Sequence, residues 1–255
     1  MAKYLDARYQ QSMPAEVADR LKQITVDPKS VVLAVQVNAS EVTVPKPSRD
    51  LTPGSEKFKA NLEAGGQTMS LETSSEVQDR SGEWSVVGTM TTPRGALTDT
   101  MLLDKQTLIV KERHMKQGPV SIDLTYAGNK VTGSMAMNGQ NKPISIDLGG
   151  PAFADGSAAM QSIAALPLAE GYKTTFRNID IQKLQPKVMQ LAVTGSEKVT
   201  VPAGTFDAYR VEVSPADGGA DKLTVWVAKD ERKAVKYQAI AASMGGATVS
   251  AELQP

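Results

Sequence analysis

The chain has no cysteine, which excludes disulfides, thiolate nucleophiles and cysteine-held zinc or iron–sulfur centres. It has one histidine, His114, so a histidine-based metal site is unavailable. Aromatic residues make up only 5% of the composition, and no stretch approaches the ~20 apolar residues of a membrane-spanning helix. Charge of one sign is also missing. The 28 Lys and Arg balance 28 Asp and Glu, which removes the general electrostatic argument for nucleic acid or an anionic membrane surface as partner. The start, MAKYLDARYQQ, lacks the apolar segment of an export signal. This charged, helix-like opening reads as a chain that begins after a signal or inside a longer polypeptide. A periplasmic or cell-envelope location is then expected, with a cytoplasmic protein as the alternative.

What is present points to β structure. The first thirty residues read as helical, with Pro14 in a first turn and Val17, Leu21 and Ile24 on one stripe. SVVLAVQV, from Ser30, is a plausible strand, and VPKPSRDLTPGSEKF is a proline-rich linker. Residues 1–60 are therefore expected to hold a helix, a short strand and the linker, and residues 61–255 an antiparallel β domain. Within the latter, Ile122, Leu124 and Tyr126, then Val131, Met135 and Met137, then Ile144, Ile146 and Leu148 alternate with small or polar residues. The connectors carry Gly128-Asn129 and Asn138-Gly139, and Asn-Gly suits a type I′ hairpin turn, whose central residues need positive φ. Further strands recur at a spacing of roughly 10–12 residues, without a fixed repeat. One short helix interrupts them, with Ser157 as its candidate N-cap, Met160 and Ile163 on one face, and Pro167 as its stop. The expected fold is mainly β: a large curved antiparallel sheet or half-barrel of about ten to twelve strands with one or two short helices, plus the N-terminal helical segment.

Sites for chemistry are scarce. His114, in TLIVKERHMKQ, is expected to share a face with Leu108, Val110 and Glu112, while Lys111, Arg113 and Lys116 read as a solvated basic face. A hydrolase using His114 as base would need a nucleophile motif, and neither G-x-S-x-G nor a phosphate-cradling glycine loop occurs. FADGSAAM carries an Asp-Gly-Ser superficially like the Asp-Thr-Gly of aspartyl proteases, but it has a weak apolar lead-in and no second copy. No metal and no cofactor are implied. Met90, Met101, Met135, Met137 and Met189 fill an irregular core in the plain reading; in the other, methionines form an adaptable wall for apolar guests.

The most patterned stretch is GSEKVTVPAGTFDAYRVEV, followed by LTVWVAKDERKAVKYQ. Pro202 suits the first central position of a type I turn and Gly204 a bulge, which would put Val199 and Val201, then Tyr209, Val211 and Val213, on apolar faces. Val199, Val201, Pro202, Ala203, Gly204, Phe206, Ala208 and Val211, with Trp226, Asp230, Arg232, Val235 and Lys236, resemble the hairpin and Trp strand of a family of uncharacterised bacterial envelope domains. The resemblance covers about residues 65–255. It implies a curved sheet similar to the half-barrels of LolA/LolB-like lipoprotein carriers, relatives that are exported and in several cases bind acyl chains. It carries no catalytic residues.

The resulting expectation is a non-enzymatic envelope domain holding an apolar ligand (lipid, acyl chain or peptide) on the concave face. Its lining would be Ile122, Leu124, Val131, Met135, Met137, Ile144, Ile146 and Met160. The alternative is an accessory or interaction domain of a larger exported enzyme such as a peptidase, fused or docked to an envelope protein.

Overall fold

The structure, a computed structural model, describes residues 42–92, 95–181, 183–242 and 245–255. The helix expected around Pro14 to Ile24 and the strand from Ser30 lie outside the described residues. Period-two alternation dominates from Gly54 onward. Eight strands come first: β1 (Gly54–Ala64), β2 (Gln67–Arg80), β3 (Glu83–Thr92), β4 (Gly95–Asp104), β5 (Val110–Gln117), β6 (Val120–Ala127), β7 (Lys130–Met137) and β8 (Gln140–Asp147). A 3₁₀ turn (Gly156–Ala158) and the short helix α1 (Ala159–Ala164) interrupt them. Six more strands complete the chain: β9 (Lys173–Asp180), β10 (Gln185–Val201), β11 (Gly204–Pro215), β12 (Lys222–Ala228), β13 (Ala234–Ala241) and β14 (Ala247–Leu253).

All fourteen form one open, curved antiparallel sheet in the order β8 to β1, then β14 back to β9. Two meanders are thus joined at the middle, where β1 pairs with both β2 and β14. The expected linker is extended only to Pro53, and its last residues already belong to β1. Asn138 and Gly139 have φ of 52° and 77°, the paired positive values of the expected tight turn.

The sheet edges are β8 and β9. Edge β8 carries Lys142 and Pro143, residues that blunt pairing with a further strand. Edge β9 is partly covered by its own chain: Ala152 bridges Arg177 in parallel, and Phe153 N–H donates to the Arg177 carbonyl at 2.8 Å. The β8–β9 connection then crosses the inner face, carrying the 3₁₀ turn and α1 as a plug.

Two bulges set which side chains face this plug. Pairing of β4 with β5 slips so that Lys111 is an extra residue between the pairs Leu102–Glu112 and Leu103–Val110. Val110 and Arg113 therefore both point inward, while Glu112 and His114 point outward. This corrects two expectations: His114 does not share a face with Val110, and Arg113 is not part of a solvated basic patch. A second irregularity lies between Val193 and Gly195 of β10, not at Gly204. Val201 pairs directly with Gly204, leaving a two-residue turn of Pro202 and Ala203. Beyond this bulge Val199 and Val201 occupy the face opposite to Tyr209, Val211 and Val213, so the hairpin buries residues on both of its faces.

Candidate functional site

The inner face can be followed strand by strand through its pairings. One row runs Val77, Val86, Met101, Arg113, Leu124, Gly133, Ile144 across β2 to β8. A neighbouring row places Asp99 beside Met115, Ile122 and Met135. Arginine in an otherwise apolar row needs a partner, because an unpaired buried charge is costly. Asp99 supplies it through two bonds of 2.9 Å, from Arg113 Nε and Nη2 to its two carboxylate oxygens. Asp155, from the plug, approaches Arg113 Nη1 at 3.5 Å and accepts a 3.2 Å bond from the Tyr126 hydroxyl.

This cluster fastens the plug to the sheet. Ser157 N–H donates to Asp99 Oδ2 at 3.0 Å, and Ser157 Oγ donates to the Val86 carbonyl at 3.3 Å. Asp155, not Ser157, caps the 3₁₀ turn, accepting from Gly156 N–H at 2.8 Å. Gly156 sits at φ 50°, and a Cβ there would lie 2.7 Å from Asp99 Oδ2 and 3.0 Å from Arg113 Cζ. Burial pushes the Asp155 carboxyl above its usual range, although Arg113 pulls it back. Burial opposes the Arg113 charge as well, but Asp155 and Asp99 outweigh it and raise its pKa. The Asp-Gly-Ser of the sequence is thus a structural anchor.

The eight residues expected to line a ligand divide into three groups. Ile122, Leu124, Val131, Ile144 and Ile146 are buried in the core beneath the plug, which also contains the edge-on pair Phe153 and Phe176. Met135 is half-buried, and Met137, at the end of β7, is 47% exposed. Met160 is separate: it lines a cavity of about 340 Å³ with Arg49, Glu56, Val77, Gln161 and Arg232.

Sequence reasoning missed the inner-face residues at the other half of the same open end. Val213, Leu223, Ala239, Val249, Leu62 and Met69 form one cross-strand row over β11, β12, β13, β14, β1 and β2. Met69 is 41% exposed, and Leu62, Val249, Ala239 and Leu223 are only partly covered. The row continues into a cavity of about 290 Å³ under α1, where Ile163, Phe176, Met189, Val213 and Leu223 meet. Each strand alone shows a mild alternation; only the register reveals a continuous apolar strip.

On the outer face His114 bonds Asp123 at 2.9 Å through Nδ1 and Glu112 at 3.2 Å through Nε2. The bond to Asp123 raises its pKa above the ordinary histidine value, against some burial and with help from Glu112. Both carboxylates are solvent-exposed.

A single curved antiparallel sheet, plugged on its concave side and apolar at one end, is the class of protein defined here. Residues 57–253 match the family described as protein of unknown function (DUF3108), and the chain belongs to that family. No curated protein matches it. Among solved structures it is similar to a protein described as exported, with a YmcC-like fold, from Bacteroides fragilis: 10% identity, 82% of this chain and 98% of that one covered, TM-score 0.36. A DUF1329 family protein from Desulfovibrio piger aligns at 12% identity over 80% and 85% of the chains, TM-score 0.30. A LolA superfamily protein from Nitrosomonas europaea aligns at 10% identity over 85% and 88%, TM-score 0.23. Among the described residues no helix is long and apolar enough to cross a membrane.

Proposed function

We propose that this domain is a non-catalytic binding module of the bacterial envelope that holds a lipid or acyl chain at the open end of its concave face. The observation that carries the reading is the strip from Leu223 through Ala239, Val249 and Leu62 to Met69, apolar yet partly exposed, leading into the 290 Å³ cavity under α1. A sheet buries its apolar face against something, and here part of that face is left uncovered by the chain's own plug. An acyl chain laid along it would gain about 0.8 kcal/mol per buried methylene, less the cost of ordering the chain. Met69, Met90, Met135 and Met137 give that end unbranched, adaptable side chains. Met135 and Met137 are the expected lining residues that contribute here, and Ile122, Leu124, Val131, Ile144 and Ile146 form the packed wall behind them. The envelope location rests on the resemblance of the VPAGTFDAYRVEV hairpin to exported domains.

Native mass spectrometry of gently purified protein tests the reading. Bound species of lipid mass, removed by delipidation with a drop in melting temperature, are expected. A homogeneous apo mass together with no saturable uptake of added lysophospholipid would rule it out.

A further inference from the structure

The 340 Å³ cavity lies at the end of the concave face opposite the methionines, beside the loop between β12 and β13. Its floor is apolar, with Leu51, Val77, Met160 and Ala164, and its rim carries Arg49, Arg232 and Lys233 against Glu56. The cations are unevenly satisfied. Lys233 lies over the Phe206 ring and interacts with Glu56. Arg232 stacks on the Tyr209 ring at 5.5 Å, which holds its guanidinium in place, yet its Nη1 is buried without a hydrogen-bond partner among the described residues. Neither Arg232 nor Arg49 forms an ion pair with Asp50, Glu56 or Glu231, the acids of the same cavity, among the described residues. Burial, and then the charge of Arg49, depress the Arg232 pKa against the opposing pull of Tyr209, and both guanidinium groups border the same cavity. Arg232 also holds a left-handed φ of 55°, a conformation that costs a non-glycine residue energy and recurs at ligand clamps.

A second unmatched atom narrows the chemistry. Gln161 donates through Nε2 to Ser75 Oγ at 2.9 Å and to Glu56 at 3.5 Å, which fixes its amide orientation. Its Oε1, an acceptor, is then buried with no donor among the described residues. Residues with an unused guanidinium donor and an unused acceptor thus border one cavity with an apolar floor.

We propose that this cavity binds an organic carboxylate bearing an adjacent N–H and a short aliphatic group, the chemistry of a peptide C-terminus ending in an apolar residue. Arg232 and Arg49 take the carboxylate, Gln161 Oε1 takes the N–H, and the aliphatic group rests on Val77 and Met160. The site is independent of the acyl-chain reading, because α1 turns Met160 and Ala164 to this cavity and Ala159 and Ile163 to the other.

Calorimetric titration of the full chain with N-acetyl-leucine provides the test, with N-acetyl-leucinamide, 4-methylpentanoate and inorganic phosphate as parallel arms. N-acetyl-leucine should bind saturably, the uncharged amide should not, and 4-methylpentanoate, lacking the N–H, should bind severalfold more weakly. Arg232→Gln should weaken binding by roughly ten- to a hundredfold, the scale of a lost charge-assisted hydrogen bond. Arg49→Gln, at an exposed position that tolerates substitution, should weaken it severalfold, and Glu56→Gln should tighten it by removing a negative charge. Uptake of a lysophospholipid should be unchanged in all three variants. The proposal is overturned if the amide or phosphate binds as well as N-acetyl-leucine, if 4-methylpentanoate binds equally well, or if Arg232→Gln and Arg49→Gln leave affinity untouched in protein with an unchanged melting temperature.

Discussion

The two ends of the concave face are built by the same strands, yet they leave opposite groups unsatisfied. At the end of the β1–β2, β7–β8 and β13–β14 turns, apolar side chains such as Met69 and Met137 meet solvent. At the end of the β12–β13 loop, Arg232 and Arg49 border a cavity with no ion-pair partner among the described residues. Between them the Asp99–Arg113–Asp155 cluster, whose charges are matched to one another, holds the plug. The contrast teaches that the exposed methionines and the guanidinium groups without an ion pair lie at opposite ends, and that the charged cluster at the centre is architecture. Charge alone is therefore a poor guide to a site in this protein; lack of a partner is a better one.

The largest expected break comes from the centre. Asp99→Ala leaves Arg113 buried without its bidentate partner and should cost about 3–5 kcal/mol, read by chemical denaturation. The same variant should increase binding of a hydrophobic dye as the plug loosens. An unchanged midpoint would mean that the cluster does not hold the plug.

Gly156→Ala should come next, at about 1–3 kcal/mol, since the position combines a left-handed φ with contact to Asp99 and Arg113. The same measurement applies, and a loss below that range would show that the anchor can shift to make room.

Asp155→Asn should act mainly on pH dependence. A carboxyl whose pKa is raised by folding holds its proton longer in the native state than in the unfolded one. Its ionisation therefore lowers stability as pH climbs from about 3.9, the unfolded value, through the elevated native value. The asparagine variant should flatten that slope, and an unaltered stability-against-pH curve would contradict the assignment.

At the apolar end, the double variant Met69→Glu and Met137→Glu should change stability by no more than ~0.5 kcal/mol per exposed position. It should weaken lysophospholipid uptake at least tenfold, whereas Arg232→Gln should not. Equal loss in both would erase the distinction between the ends.

The smallest effect belongs to His114. Its folded pKa is raised, so its contribution is complete below the ordinary histidine value and fades as pH rises through the folded one. Solvent screening keeps that contribution slight. An NMR titration should still show the upward shift, and Asp123→Asn should remove most of it.

Much of the fold was readable because strand periodicity and turn chemistry are local. The β6–β8 meander is legible in alternating residues and in Asn138-Gly139, whose two positive φ angles match the tight turn. The sites were less readable because they depend on pairing register. One extra residue, Lys111, turns Arg113 from the solvent side to the core, and nothing in KERHMK announces it. The strip from Leu223 to Met69 draws one residue from each of five strands, so no segment carries its signature. Arg232 was visible as part of a motif, but its importance rests on Arg49 and Gln161, which are distant in sequence. Met137 was expected to line a ligand from its place in an alternating strand, and the structure leaves it 47% exposed at the end of β7.

The central claim is that an acyl chain occupies the methionine-lined end. Methyl-labelled methionine NMR, recorded while lysophosphatidylcholine is added below its micellar concentration, tests it most directly. Acyl-chain binding there predicts saturable shifts of the Met69, Met90, Met135 and Met137 methyls, with Met101, fully buried beside the central cluster, little changed. Shifts confined to Met160, or no saturable shift at any methionine, would contradict it.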